Sequence, residues 1–493
     1  MKKILYALFA ILAFSACTEA VGDARQEASL PQIYPDYLGV TVPVNIAPLY
    51  FSMADEGALR IEAVISDNQG NSLRSQGKES VNFGISDWRK LLSQNKGDTL
   101  NVTVSAKYAD GWHTYRSFPI YVSPDSIDYG ICYRLIEPGY EVWSKMGIYE
   151  RTLSSFDERP LIENTQFVGC VNCHSFNRGN TADMSLHIRG PHGATLLRHN
   201  GSPLTAYNTK TDHSLGFCVY PYWHPSGRYI AYSTNATSQL FHSADSNRIE
   251  VFDTASDLQV YDVEKNELLL SPLLKQDSVY ETFPVFSADG RSLFFCAASA
   301  LPEGSHQLDS IHYNLCRIDF DPATGSFGSQ IETIVDAASQ SKSVSFPRPS
   351  YDGRFLCYTL SDYGQFSIWH HEADLYLLNL STGESLPMTE ANSDDTESFH
   401  NWSSNSRWMV FSSRRDDGLF TRPYFCHIDA EGAVSKAFML PQRHPRRFYQ
   451  DRFLSFNVPE FVVSPVRFDG HKASRIINDE SRTNFGVRYD NEN

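Results

Sequence analysis

Cys170-Val171-Asn172-Cys173-His174 is the stretch of this chain whose residue types and spacing point most directly to chemistry. Two thiols three residues apart can reach the two vinyl groups of one porphyrin, while the adjacent imidazole turns beneath the ring to ligate its iron. Read this way, the run is a c-type haem attachment site, with Cys170 and Cys173 as covalent anchors and His174 as the proximal axial ligand. Nine Cys and sixteen His in 493 residues give about 0.005 such runs by chance, so composition alone does not account for it. Two plainer readings stay open: a C-x-x-C disulfide followed by an ordinary His, and half of a zinc site. No second C-x-x-C supplies the remaining zinc ligands.

Candidates for the other side of the iron follow within the next thirty residues. His187 and Met184 lead, with His192, His199 or an open position behind them. A second imidazole would set a low potential, and a Met thioether would raise it. Each of these side chains also has an ordinary reading as packing or loop. Arg189 is suited to neutralising a haem propionate, or is an isolated surface Arg.

Covalent haem attachment in bacteria takes place outside the cytoplasm, and the start of the chain agrees with export. Lys2 and Lys3, an apolar run from Ile4 to Phe14 and Ser15-Ala16-Cys17 form a signal too short to remain as a membrane span. Phe14-Ser15-Ala16-Cys17 resembles a bacterial lipobox, which implies a lipid on Cys17 as the membrane anchor; Phe14 replaces the usual Leu. A formal charge of −16 disfavours nucleic acid and anionic membrane surfaces as partners. Cys132, Cys218, Cys296, Cys316, Cys357 and Cys426 are widely spaced singles in apolar runs, which reads as buried thiols rather than a disulfide framework.

The elements that must position the motif read as all-β. Residues 17–35 are polar and look like a tether. Residues 36–125 carry strand patterns, including Thr99-Leu-Asn-Val-Thr-Val-Ser-Ala-Lys-Tyr108, which turns at Asp110-Gly111 into a hairpin. The expectation is a small β-sandwich with one short helix at Asp87 to Gln94 capped by Ser86. Residues 126–183 read as a connecting segment holding the haem motif. Its Tyr129, Tyr133, Tyr140, Trp143, Tyr149 and Phe156 either wrap a flat cofactor or pack a linker onto its neighbour.

From about residue 184 the chain repeats. Tyr220-Pro-Tyr-Trp-His-Pro-Ser-Gly-Arg228, Phe283-Pro-Val-Phe-Ser-Ala-Asp-Gly-Arg291 and Phe346-Pro-Arg-Pro-Ser-Tyr-Asp-Gly-Arg354 are three copies of one pattern. Phe399-His-Asn-Trp-Ser-Ser-Asn-Ser-Arg407 is a fourth that has lost its Pro and Gly. Each is followed by an apolar strand and a second hairpin, the order of a propeller blade. These copies resemble the TolB-like propeller family, a likeness that spans roughly residues 184 to 460. The resemblance implies six blades within 184–493, one near Met184 to Asn208 and one closed by the C-terminal tail with strands before Cys170. The order of lipobox, β-domain, C-x-x-C-H and propeller also resembles exported lipoproteins of Bacteroidetes, which implies an outer-membrane location.

No G-x-S-x-G elbow, Walker motif, H-E-x-x-H or dinucleotide fingerprint occurs. Asp394-Asp395-Thr396-Glu397, Asp416-Asp417, His370-His371 and Arg443-His-Pro-Arg-Arg447 read as loop faces. The sequence therefore supports an exported propeller with one covalent haem c that passes electrons to a redox partner. The alternative is a propeller that recognises a protein or glycan, its haem structural or sensory. A haem-dependent oxidoreductase ranks last, because no distal acid/base pair is specified.

Overall fold

Each repeated turn joins the first strand of a sheet to its second. Gly227, Gly290 and Gly353 take φ of 78°, 74° and 75° there, and their N–H groups donate to the carbonyls of His224, Ser287 and Ser350. In the fourth copy Ser406 adopts φ 57° and makes the equivalent bond to Ser403, so the turn survives the loss of its Gly. Our computed structural model describes residues 19–138, 145–243, 247–302, 304–305 and 307–489. Cys17, Tyr140 and Trp143 lie outside the described residues. The chain divides into two compact units. The first runs to Pro124 and includes Pro441–Asp451; the second is Asp125–Leu440 with the chain from Arg452.

The second unit is a six-bladed β-propeller. Blade 1 takes its inner strand, Ser455–Val462, from the tail and places it antiparallel to Gly130–Ile136, followed outward by Gly147–Thr152 and Glu158–Glu163. Blade 2 runs from Cys170–Asn177 to Thr205–Asn208, and blade 3 from Val219–Trp223 to Glu267–Leu270. Both gain a fifth, parallel outer strand from the tail, Thr483–Asn484 and Gly486–Tyr489. Blades 4, 5 and 6 begin at Val279–Phe286, Ser343–Pro349 and Glu397–Trp402 and are four-stranded. Each inner strand packs on the next, and that of blade 1 touches those of blades 6 and 2, which closes the ring. Side chains stitch the joints. Glu460 Oε1 accepts from Phe176 N at 2.9 Å, and Trp402 Nε1 donates to Arg348 O at 2.9 Å.

Residues 126–183, expected as a connector, thus supply the three outer strands of blade 1 and the inner strand of blade 2; the joining of the tail to strands before Cys170 is as the family resemblance implied. The repeat signature spans an inner strand, its turn and the second strand. In blade 1 the first two of those strands are 300 residues apart in the chain, so no signature can form.

The first unit, expected as a β-sandwich, is a seven-stranded mixed sheet with a separate two-stranded ribbon of Ile33–Tyr34 and Ser52–Met53. Arg25–Gln26, Gly111–Thr114, Thr99–Tyr108, Arg60–Ser66 and Ser72–Gly77 pair in that order, with Phe118–Ser123 also on Thr99–Tyr108. A helix, Ile85–Gln94, buries Trp88, Leu91 and Leu92, and Trp88 Nε1 donates to Ile46 O at 3.1 Å. Its N-cap is Gly84, not Ser86. The described part of the expected tether belongs to this unit: Arg25–Gln26 pair in parallel with His113–Thr114, and Glu19 ion-pairs with Lys107.

Phe461, 1% exposed in the closing strand, tests the tail's role. Phe461→Ala is expected to destabilise the propeller by about 3–5 kcal/mol, read as a lowered urea midpoint.

Candidate functional site

The inner strands share one local conformation, and it decides where the motif sits. Every inner strand carries a β-bulge whose residue has positive φ: Val458 (51°), Cys173 (36°), Tyr220 (51°), Phe283 (54°), Phe346 (51°) and Phe399 (51°). Their side chains meet around the axis. Ring centroids lie 4.6 Å apart for Tyr220 and Phe283, 4.3 Å for Phe283 and Phe346, and 4.8 Å for Phe346 and Phe399. Phe283 and Phe346 are only 2% and 3% exposed, so the channel is filled at this level.

Cys170-Val-Asn-Cys-His174 is the inner strand of blade 2. Cys170 is buried beside Ile136 and Met146 of blade 1. Cys173 is the bulge residue and lies half-buried next to Tyr220. His174 is buried with its ring toward the Cys132 carbonyl, and burial pulls its pKa down to about 4. Its Nε2 is buried without a partner. Both motif cysteines are free thiols, as are the six structural cysteines, which are all buried.

The candidate second ligands do not converge on His174. Asn172 pairs with His187 and His174 with Leu186, so His174 and His187 leave opposite faces of the blade. His187 contacts Thr195 Oγ1 at 3.1 Å and the Phe217 ring at 5.7 Å, and burial pulls its pKa to about 4. Met184 shares the His174 face and is fully buried among Phe176 and Leu186, its Sδ 3.8 Å from Arg198 Nη2. His192 lies against Glu480 at 2.8 Å, and His199 against Asp183 at 3.1 Å. Arg189 lies over Cys170, Nη2 to Sγ 4.0 Å.

For a haem, the donor atoms are right in kind: two free thiols and a neutral imidazole with one open nitrogen. The packing does not fit the group. Cys170 and Met184 are 0% exposed, His187 2% and His174 4%, which leaves no slot for a porphyrin between them. The register also puts Cys170, opposite Arg189, on the other face of the strand from His174, and the bulge turns Cys173 toward Tyr220, so the three side chains do not converge.

A second cluster lies on blade 3. Its middle strands, Tyr229–Phe241 and Ile249–Asp262, run 13 and 14 residues, against six to ten for the second strands of the other blades. This hairpin reaches loops of blades 4 and 5. Ile249 packs with Ile311, Tyr313, Ile368 and Trp369. Asp253, fully buried and pushed up to about pKa 6, accepts from Asn235 Nδ2 at 3.0 Å and Tyr313 OH at 3.4 Å.

Glu250 anchors the far end of the hairpin. It accepts from Tyr363 OH at 2.6 Å and from His370 Nε2 at 3.1 Å, while His370 Nδ1 donates to Glu372 at 3.1 Å. Burial opposes a charge on His370, but its bonds to Glu250 and Glu372 outweigh it and hold the pKa near 9. Sequence reading left His370-His371 as a loop face; the missing signal was Glu250, 120 residues away. The acidic run likewise has structural partners, Glu397 with Arg415 at 2.8 Å and Asp395 with His371 at 3.0 Å. Arg446 belongs to the first unit, where it donates to Met53 O at 2.9 Å. Among the described residues no three His, Cys, Asp or Glu side chains form a group able to hold a metal.

No family model matches the chain, and a search of curated proteins returned no match. Among solved structures, prolyl oligopeptidase B from Galerina marginata matches 76% of this chain and 52% of its own, at 9% identity and a TM-score of 0.37. This chain thus spans about half the length of that protein. The periplasmic gluconolactonase of Pseudomonas aeruginosa matches 78% of this chain and 96% of its own, at 12% identity and a TM-score of 0.34. A DUF4784 family protein from Bacteroides caccae matches 73% and 95%, at 10% identity and a TM-score of 0.28. Likeness at this level carries nothing about activity.

The hairpin latch predicts a pH dependence. The folded pKa of His370 lies above its ordinary 6.5, so the stabilisation is complete below about pH 6.5 and lost as pH rises through about 9. His370→Gln is expected to cost about 1–3 kcal/mol at pH 6 and to flatten that alkaline slope in denaturant melts.

Proposed function

We propose that this chain is an exported TolB-like propeller, lipid-anchored through Cys17 in the outer membrane, whose work is recognition of another protein. The observation that carries the reading is the tip of the blade 3 hairpin. Leu240 and Phe241 are 44% and 52% exposed there, at the end of strands longer than a blade requires. The Tyr363-Glu250-His370 latch holds the hairpin next to these partly exposed side chains and so fixes where they are presented. Exposed, fixed apolar residues are the usual core of a recognition patch. The formal charge of −16 favours a partner with a neutral or basic rim around an apolar pocket. The filled channel argues against passage or turnover through the axis.

The second reading is an electron-transfer module with haem c on Cys170 and Cys173 and a redox protein as partner. It is favoured by the unpartnered His174 Nε2 and the two free thiols, and opposed by the packing around them.

A photo-crosslinking residue at position 240, expressed in the native host, tests the first reading. One dominant protein adduct is expected, lost at least tenfold when Phe241→Asp is added, with an unchanged melting temperature. No adduct, or adducts indifferent to Phe241→Asp, would remove the hairpin as a docking site.

A further inference from the structure

The C-x-x-C-H run has an explanation that owes nothing to a cofactor, because it is one of six equivalent strands. Aligned on the bulge, Cys173 stands where Tyr220, Phe283, Phe346, Phe399 and Val458 stand in the other blades. His174 then stands where four blades have Pro221, Pro284, Pro347 and Pro459, and where blade 6 has His400.

The two histidines face the same carbonyl position. His400 donates from Nε2 to the Cys357 carbonyl at 2.9 Å and leaves Nδ1 unpartnered, while the His174 ring meets the Cys132 carbonyl with its Nε2 unpartnered. Cys132 pairs with Glu460, and Cys357 with Arg348. Glu460 and Arg348 each lie two residues beyond their bulge, so the two carbonyls are one position of the repeat, in each case in the preceding blade. Both imidazoles are kept neutral by burial, at about 4 and about 3. The residues before His400 are Thr396-Glu397-Ser398-Phe399, with no thiol among them. An inter-blade histidine therefore arises in this fold without haem chemistry.

We infer that the C-x-x-C-H run is a wall of the propeller, in which Cys173 is the smallest member of the axial ring and His174 is an inter-blade strut, neither serving as a cofactor attachment point in the folded protein. Val458 and Cys173 are neighbours in the ring and its only non-aromatic members. The ring is thinnest there, which fits the half-buried state of Cys173 and Tyr220 beside the closed packing of Phe283 and Phe346. An aromatic side chain at position 173 would complete the pattern of the other blades. This inference is independent of what the hairpin binds.

The test uses the full chain co-expressed with a c-type haem maturation system, assayed by pyridine haemochrome and thermal melting. No covalent haem band is expected. His174→Gln and His400→Gln should each lower Tm by about 2–4 °C, since each removes an imidazole buried against the preceding blade. Cys173→Phe should fold with an unchanged or higher Tm. A haem band that vanishes in Cys170→Ala/Cys173→Ala would overturn the inference. So would a visible spectrum altered by His174→Gln but not by His400→Gln, or a Cys173→Phe chain that melts below the parent. Absence of a crosslinked partner at position 240 with no haem present would remove the recognition reading alone.

Discussion

Six twisted sheets can share one axis only if their innermost strands step aside where they converge. Here each does so by a bulge with positive φ on a non-glycine residue, a conformation that costs on the order of 1–3 kcal/mol wherever it occurs. Six such residues persist because the same bulge brings their side chains together at the axis, where edge-to-face and tilted contacts among the four aromatic members and the burial of Phe283, Phe346 and Phe399 offset the strain. The bulge also rotates the next residue toward the preceding blade. Proline at that place closes the joint by shape, and histidine closes it by a hydrogen bond. Backbone strain, channel filling and inter-blade adhesion are thus three results of one local geometry.

The blades differ mainly in what extends from them. Blade 3 carries the long hairpin, whose far end is held by Ile249 against blades 4 and 5 and by a polar latch. The latch is an imidazolium between two carboxylates, with a phenol donating to one of them. Such an arrangement has a defined geometry only when every member is present, so its rigidity depends on protonation in a way that the apolar joints between blades do not. The buried Asp253, bonded to Asn235 and Tyr313, fixes the hairpin nearer its base.

The propeller is legible in the sequence through the Pro and Gly-Arg of three blades and a fourth, degenerate copy, because those residues encode a bulge and a tight turn that only a few residue types tolerate. Blade 1, a tail strand joined to strands before Cys170, was implied by the family resemblance alone, since its inner strand is borrowed from Ser455–Val462 and no contiguous pattern could record it. The first unit was read as strands and one helix, but period-two alternation marks only that a strand has one buried face. It does not say whether a second sheet or a helix covers that face. The cysteine motif shows a sharper limit. Spacing alone presents Cys170, Cys173 and His174 as a set, whereas their directions in space depend on a bulge whose signal lies in the other five blades.

The tail strand that completes blade 1 has a consequence for how the molecule comes into being. Gly130–Ile136 leaves the ribosome, and by the export reading crosses the membrane, more than 300 residues ahead of the strand it must pair with. Until then its edge is an open ladder of unpaired amides beside the free flank of blade 2. Blades 2 to 6 can form from contiguous strands, but closure of the ring through blade 1 waits for the tail. For all of that interval the chain depends on whatever in its surroundings shields exposed strand edges.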